Sequence, residues 1–224
     1  MYKNKNLKNT TKVDKTSLKL SPLHVLDPLD GTNAKYIRAK KLDFIENGTR
    51  KTWEILSGFD SVCILLFDTT KQAFVIVKQF RPAVFLKQND AFAHTNDFKD
   101  MDFELGYTYE LCAGLLDKPK SLHETAAEEV LEECGYEISP NELHYIGKFF
   151  GSTSLNGSIN HIFFAEVNEE KRKNTGGGVD GEVIDIIYVP LHESLTFALD
   201  PNIPKTTSLS FGISWYHYHF KGAK

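Results

Sequence analysis

Five glutamates fall between positions 124 and 133 of the chain, and no lysine or arginine separates them. Glu124, Glu128 and Glu132 follow one another at four-residue spacing, as do Glu129 and Glu133. Like charges at this spacing destabilise an isolated helix, so a helix face that only meets water normally mixes signs. Carboxylate oxygens are also the ligands that hold Mg²⁺ and other hard cations. The pattern therefore allows two interpretations, an acidic face exposed to water or a site for divalent metal ions.

The same stretch contains the signals that begin and end a helix. Ser121 followed by Glu124 is a capping box, in which each side chain bonds the other residue's backbone N–H. Gly135 suits the left-handed position just after a helix. We therefore predict a helix over residues 122–134. One face is apolar and is expected to be buried, namely Ala127, Val130, Leu131 and Cys134, with Glu129, Glu132 and Glu133 on the opposite side.

Residues 114–136, GLLDKPKSLHETAAEEVLEECGY, resemble the Nudix box. In that pattern a Gly and an early Glu precede Arg-Glu, an apolar residue, any residue, Glu-Glu, any residue, Gly and an apolar residue. Counted from Gly114, the second half is matched in register by Glu129, Val130, Glu132, Glu133, Gly135 and Tyr136. The resemblance implies that Glu129, Glu132 and Glu133 bind Mg²⁺, with Mn²⁺ as a substitute. It also implies catalytic roles for Glu129 and Glu133.

Two positions depart from that pattern. Lys120 stands where the family has its first Glu, and Glu128 stands where it has an Arg that helps to orient the neighbouring Glu. One hypothesis is a charge swap, in which a Lys120–Glu128 ion pair ties the loop to the helix. The alternative is drift, since exposed ion pairs contribute little. Drift would leave a catalytically weak Nudix-fold protein that binds nucleotides.

Two stretches ahead of the box resemble Nudix enzymes that act on ADP-ribose and nucleotide sugars. In VKQFRPAV the resemblance implies that Arg81 contacts the substrate's phosphates, which suits a planar bidentate donor. Phe80 is a candidate for stacking on the substrate, and packing in the core is its simpler role. In YELCAGLLD, Glu110 is a candidate metal ligand or ribose contact, and the backbone carbonyl of Ala113 is a candidate metal ligand.

The late loop and the C-terminal segment, GGGVDGEVIDIIYVPL and LDPNIPKTTSLSFGISW, resemble the animal UDP-sugar pyrophosphatase branch of the family. In the ADP-ribose relatives a Glu of this loop is the general base. Glu182 is the best match, with Asp180 and Asp185 as neighbours. In GSTSLNGS, Asn156 is a candidate for binding substrate, although such residues are equally ordinary turn formers.

Together these resemblances imply Mg²⁺-dependent cleavage of the pyrophosphate of a nucleoside diphosphate sugar. The expected substrate is UDP-glucose, which would give UMP and glucose 1-phosphate. An ADP-ribose pyrophosphatase, giving AMP and ribose 5-phosphate, is the alternative among enzymes. By the same resemblance, an N-terminal hairpin is expected to exchange between the subunits of a homodimer.

The remaining patterns predict an α+β fold, which the resemblance makes a mixed β-sheet between helices with an N-terminal β-hairpin. We predict a disordered lysine-rich tail over 1–34, the hairpin over 35–58 and the Nudix domain over 59–220. Asn47-Gly48 supplies the hairpin's tight turn, and the three glycines from Gly176 are interpreted as a flexible loop. Strands are predicted at 61–68, 73–80, 107–115, 143–151, 160–168 and 182–190, helices at 191–199 and 205–219, and a long loop at 84–108.

Composition narrows the class of protein. The formal net charge is -4, which argues against a nucleic-acid binder, because such proteins usually carry a basic excess. No apolar run of about 18 residues exists, so no membrane span is expected. Cys63, Cys112 and Cys134 are odd in number and lack metal-ligand spacing, which favours free thiols and a cytoplasmic location.

Overall fold

The structure is a computed structural model that describes residues 36–90, Phe98 and residues 101–221. The tail predicted over 1–34 lies outside these residues. In the described ranges the strands are β1 Arg38–Glu46, β2 Thr49–Ser57, β3 Ser61–Asp68, β4 Ala73–Phe80, β5 Tyr107–Glu110, β6 Cys112–Leu115, β7 His144–Phe150, β8 Ile159–Val167 and β9 Ile184–Pro190. The helices are α1 Pro82–Gln88, α2 Leu122–Cys134, α3 Leu191–Leu199 and α4 Thr207–Tyr216, followed by a π-helical turn at His217–Lys221. None of the described helices is long and apolar enough to cross a membrane.

β1 and β2 form the predicted hairpin as a separate antiparallel sheet. Asn47 and Gly48 both have positive φ angles, 51° and 77°, as a tight two-residue turn requires. Nearly all residues of the two strands are exposed, whereas an isolated hairpin is at best marginally stable in water. The indole N–H of Trp53 donates to the carbonyl of Ser154 at 2.8 Å. The hairpin therefore contacts the rest of the chain through the loop that precedes β8.

A seven-stranded mixed sheet forms the centre of the fold, and it splits along its length. β3 and β4 pair only beside their connecting turn, from Leu66 opposite Val75 to Asp68 opposite Ala73. Farther along, the same edge of β3 pairs with β6, while β8 pairs in parallel with the other edge of β3 over its whole length. The corresponding edge of β4 pairs with β5, while β9 pairs with the other edge of β4 from Ala73 to Gln79. β5 and β6 therefore occupy the gap between β3 and β4, which places Glu110 and Ala113 on its two sides.

Two predicted elements differ in the structure. Residues 107–115 were expected to form one strand and instead form β5 and β6, because the chain crosses the split at Leu111 and changes partner there. The loop expected at 84–108 contains most of α1, which has Pro82 in its first turn, where proline is favoured. It also contains a 3₁₀ turn, Phe103–Gly106. An aromatic cluster holds this segment through Phe80, Phe85, Phe98 and Phe103, which carry no periodic pattern.

Helices cover both faces of the sheet, as the fold class predicts. α2 covers the face that carries Val62, Ile64 and Val77, and its own Ala126 and Val130 belong to the same apolar core. α3 and α4 cover the other face, where a second core includes Leu65, Phe74, Phe197, Leu209 and Ile213. The first of these cores holds α2 against the sheet.

A buried polar network closes the end of the sheet away from the split. Asp68 is fully buried and accepts hydrogen bonds from the Tyr136 hydroxyl at 2.9 Å and from the Lys71 ammonium at 3.1 Å. The hydroxyls of Tyr136 and Tyr188 lie 2.8 Å apart, and Arg172 donates to both. Burial acts to raise the pKa of Asp68, but the hydrogen bonds from Lys71 and Tyr136 hold it below its ordinary value. The network joins β3, β9 and the residue after the cap of α2.

We expect Tyr136→Phe to lower the free energy of unfolding by about 1–3 kcal/mol, because it removes one partner from a buried carboxylate and one from a buried hydroxyl. Urea denaturation monitored by fluorescence measures the change. The matched control is Tyr145→Phe, whose exposed hydroxyl bonds His161 at 3.1 Å. The control is expected to change stability by less than about 0.5 kcal/mol. Equal losses in the two variants would contradict a special contribution from the network.

Candidate active site

Helix α2 begins and ends as its sequence predicts. The Ser121 side chain accepts the backbone N–H of Glu124 at 3.2 Å, and the Glu124 carboxylate accepts the N–H of Ser121 at 2.9 Å. Gly135 follows the last helical residue with a φ of 75°, which is favourable for glycine. These local contacts determine where the acidic residues of the helix lie along its axis.

The buried face of α2 differs from the predicted one. Glu133 is only 5% exposed, whereas Ala127 and Leu131 are half-buried. Counted from the fully buried Ala126, the helical rotation places Val130 at about 40° and Glu133 at about −20°. Glu133 therefore shares the buried face, and the expectation that it lies on the open side with Glu132 is wrong.

Glu133 is bound to the strand beneath it. Its carboxylate accepts the backbone N–H of Ala113 at 2.9 Å. Burial raises the pKa of Glu133 to about 8, with the charges of Glu129 and Glu182 adding to the effect and the Ala113 hydrogen bond opposing it. The carboxylate is thus held at the split of the sheet, in surroundings that disfavour an uncompensated negative charge.

Glu129 lies against Gly114, at the start of the box. A Cβ on Gly114 would overlap the Glu129 carboxylate, so only glycine permits this approach. Burial raises the pKa of Glu129 to about 7, and the charges of Glu132 and Glu182 raise it further, while that of Lys118 lowers it. Two neighbouring carboxyls are therefore partly protonated near neutral pH.

The group of carboxylates fits a divalent cation by the chemistry of its donors. All of the side chains are oxygen donors, the class that Mg²⁺ prefers, and binding a cation would release their protons. Among the described residues, no three histidine, cysteine, aspartate or glutamate side chains already converge as a metal cage. Glu129, Glu132 and Glu133 thus mark the location of the candidate metal site.

Arg81 is held on the other side of the split. Its Nε and one terminal nitrogen donate to the two oxygens of Glu110, both at 2.8 Å, and the Thr108 hydroxyl donates to the same carboxylate at 2.5 Å. The hydrogen bonds that Arg81 donates to Glu110 raise the pKa of Arg81, with smaller contributions from the charges of Glu133 and Glu182. The Arg81 side chain is 43% exposed and that of Glu110 10%. One edge of the guanidinium is used by Glu110, and among the described residues the other edge is the candidate for donating to a phosphate.

Glu182 reaches this group from the loop before β9. Its charge acts on the pKa values of Glu129, Glu133 and Arg81, so Glu182 lies within electrostatic reach of these three residues. Asp185 points away from them, because it alternates with Ile184, which lies in the core beneath α2. Asp180 belongs to the same loop and has a positive φ of 52°.

The other predicted residues have local partners. Phe80 packs against Phe85 and Tyr107, with ring centroids 5.5 and 5.6 Å apart, in keeping with its simpler role in packing. The carboxamide oxygen of Asn156 accepts the backbone N–H and the hydroxyl of Ser158 at 3.1 and 3.2 Å. It is therefore engaged as a turn former within its own loop.

The charge-swapped pair is present. The Lys120 ammonium donates to Glu128 at 2.6 Å, and Lys118 donates to the other Glu128 oxygen at 3.4 Å. The hydrogen bond from Lys120 is the main reason that the pKa of Glu128 falls below its ordinary value. Lys118 was not predicted as a partner of Glu128, although its place two residues before Lys120 was a usable signal. Thr108 was not predicted either, because it has no distinguishing pattern in the sequence.

Comparison with known proteins identifies the family of the chain. The NUDIX domain profile matches residues 59–209. The uridine diphosphate glucose pyrophosphatase NUDT14 of Bos taurus is 40% identical over 195 residues, covering 81% of this chain and 88% of the relative. The Mus musculus protein of the same name is 35% identical over 198 residues, covering 82% and 89%. The GDP-mannose pyrophosphatase of Klebsiella pneumoniae subsp. pneumoniae is 30% identical over 150 residues, covering 67% of each. The profile match and these relatives show that the chain belongs to the Nudix hydrolase family.

Proposed function

We propose that this chain hydrolyses the pyrophosphate bond of nucleoside diphosphate sugars, and that it converts UDP-glucose to UMP and glucose 1-phosphate. The observation that carries the proposal is the grouping of Glu129, Glu133, Glu182 and Arg81 at the split of the sheet. Carboxylates and a phosphate-binding arginine are the groups that this reaction needs. The names of the relatives support the substrate class.

The metal is proposed to be Mg²⁺, with Mn²⁺ as a substitute, held by Glu129, Glu132, Glu133 and the carbonyl of Ala113. When bound, such a cation neutralises phosphate charge and lowers the pKa of bound water. Gly114 and the Ala113 N–H keep Glu129 and Glu133 against β6 for this purpose. Both oxygens of Glu110 are hydrogen-bonded to Arg81 and Thr108, so we assign Glu110 to orienting Arg81 rather than to the metal.

Glu182 is the proposed general base, because it reaches the group from outside α2, whereas the carboxylate of Glu110 is occupied by Arg81 and Thr108. A positioned base contributes about 10²–10⁴-fold to turnover. Arg81 would donate from its unused edge to the phosphates, and the bidentate pair with Glu110 fixes the plane of that edge. Glu129 and Glu133 would complete the catalytic group.

We place the enzyme in the cytosol as a homodimer. Cys63, Cys112 and Cys134 are buried free thiols, which fit a reducing compartment. One face of the hairpin carries Leu42 and Trp53, which pair with each other across β1 and β2 and are 45% and 49% exposed. A second copy would cover this face and stabilise the hairpin.

Turnover should require both a divalent metal and Glu133. Purified protein with Mg²⁺ is expected to release UMP from UDP-glucose faster than AMP from ADP-ribose or GMP from GDP-mannose, and to release nothing after chelation. Glu133→Gln is expected to lower kcat by at least about 100-fold, because a buried carboxylate at the metal is replaced by a neutral amide. Chromatographic separation of the nucleoside monophosphates measures each rate.

The control for that substitution is Glu137→Gln, an exposed residue paired with Lys173 at 3.1 Å, which should retain full turnover. Faster release of AMP would assign the chain to ADP-ribose. Saturable binding of nucleotides without release of any product would overturn the proposed enzymatic function. It would favour the alternative of a nucleotide-binding protein, which the unusual residues Lys120 and Glu128 had suggested.

The ion pair between the box loop and α2 should appear as coupling in a double-mutant cycle. Lys120→Glu places two negative charges together and is expected to lower kcat by roughly fivefold or more, the scale of coupling between contacting residues. Adding Glu128→Arg should restore most of the loss, because opposite charges then face each other again. Independent losses that multiply in the double variant would show that the pair does not support activity.

The hairpin face should control the oligomeric state. Leu42→Glu is expected to convert a dimer to a monomer in sedimentation experiments, because it places a charge on the apolar face. Thr52→Glu is the matched control, since Thr52 pairs with Asp43 on the opposite face of the hairpin. A monomeric wild-type protein, or equal dissociation in both variants, would overturn the proposed dimer.

A further inference from the structure

The three-glycine segment is bonded to the end of α2. The backbone N–H of Gly177 donates to the carbonyl of Glu133 at 2.9 Å, and that of Gly178 donates to the carbonyl of Glu132 at 3.1 Å. The last carbonyls of a helix have no partners within the helix. The segment thus supplies them, and it is held more firmly than the flexible loop that its composition indicates.

Glycine is required here by space as well as by backbone angle. Gly176 has a φ of 65°, and a Cβ there would overlap the carbonyl oxygen of Glu133. Gly178 has a φ of 89°, and its Cβ would lie 2.7 Å from the Cβ of Glu182. Real Cβ atoms essentially never approach other atoms within 3.0 Å. Glu182 therefore packs directly on the backbone of Gly178.

These contacts link two parts of the site that are distant in sequence. Glu182 rests on Gly178 and closes a turn through its N–H to the carbonyl of Val179 at 3.0 Å. Gly178 in turn bonds the backbone of Glu132, which belongs to the proposed metal-binding end of α2. Glu182 is therefore connected to the C-terminal end of α2 through the backbone of one residue, Gly178.

We propose that Gly178 is a positioning residue, which sets the place of Glu182 relative to Glu129 and Glu133 through the hydrogen bond that its N–H donates to the Glu132 carbonyl and through its contact with Glu182. The inference rests on the proposed function, since it takes Glu182 as the general base. It adds that the loop determines the distance between the general base and the metal ligands. The three-glycine segment has a second role, which is to cap the C-terminus of α2.

A kinetic cycle tests this role. Gly178→Ala is expected to lower kcat by about 100-fold, as far as Glu182→Gln does, while KM and the affinity for Mn²⁺ change less than about threefold. In the Glu182→Gln background, Gly178→Ala should cause almost no further loss, because both changes act through one carboxylate. Losses that multiply would indicate general damage to the fold and would overturn the proposal.

Gly181→Ala is the matched control. Gly181 lies in the same loop with a φ of 91°, but a Cβ there would meet nothing within 4 Å. It therefore carries the backbone strain of Gly178→Ala without the contact to Glu182. We expect Gly178→Ala and Gly181→Ala to have similar melting temperatures. Only Gly181→Ala is expected to retain the kcat of the wild-type protein. An equal fall of kcat in both variants would mean that strain, and not the contact, is responsible.

Hydrogen exchange of the metal-free wild-type protein gives a readout that does not depend on turnover. The amides of Gly177 and Gly178 are expected to exchange at least about tenfold more slowly than that of Gly181, because they are hydrogen-bonded to α2. Equal exchange rates would overturn the docking itself. A wild-type protein without turnover but with protected amides would instead overturn the proposed function, and with it the catalytic role of the contact.

Discussion

The burial of acidic side chains at the C-terminal half of α2 is the constraint on which the remainder of the site depends. Glu133 lies in the last turn of α2, where the helix dipole is negative, and burial raises the pKa values of both Glu129 and Glu133. Hydrogen bonds from the Ala113 N–H and from Cys112 oppose this effect at Glu133, and the charge of Lys118 opposes it at Glu129. A divalent cation at this position, as proposed above, would relieve these penalties, because it favours the charged form of both carboxyls.

The positive charges of the site are arranged around this group and not within it. Arg81 is held by Glu110, and Glu128 is held by Lys118 and Lys120. The Arg81–Glu110 pair is neutral as a unit, whereas Lys118, Lys120 and Glu128 together carry one net positive charge. The charge of Lys118 acts on Glu129 and offsets part of the burial penalty of that carboxylate. The Lys120–Glu128 ion pair holds the loop against α2. An ion pair with the two charges exchanged would hold the loop in the same way.

The split between β3 and β4 provides the space for the chemistry. Where the two strands pair, a closed network around Asp68 and Tyr136 fixes the end of the sheet. Where they separate, β5 and β6 turn their edges toward each other and carry Glu110 and Ala113. α2 spans this opening from above, and the loop before β9 closes it from the side of the helix C-terminus. One end of the sheet is therefore held together by the buried network, and the other end, where β3 and β4 separate, carries the candidate site.

The sequence by itself determined those features that depend on neighbouring residues. The cap at Ser121, the left-handed Gly135 and the turn at Asn47 each involve contacts within a few positions, and the strands follow from continuous apolar runs. Only the tertiary structure decided that Glu133 is buried, that residues 107–115 divide into two strands, and that the loop carrying Glu182 docks on α2. The physical reason is that these features depend on which face of an element meets a distant partner, and local backbone preferences carry no information about that choice.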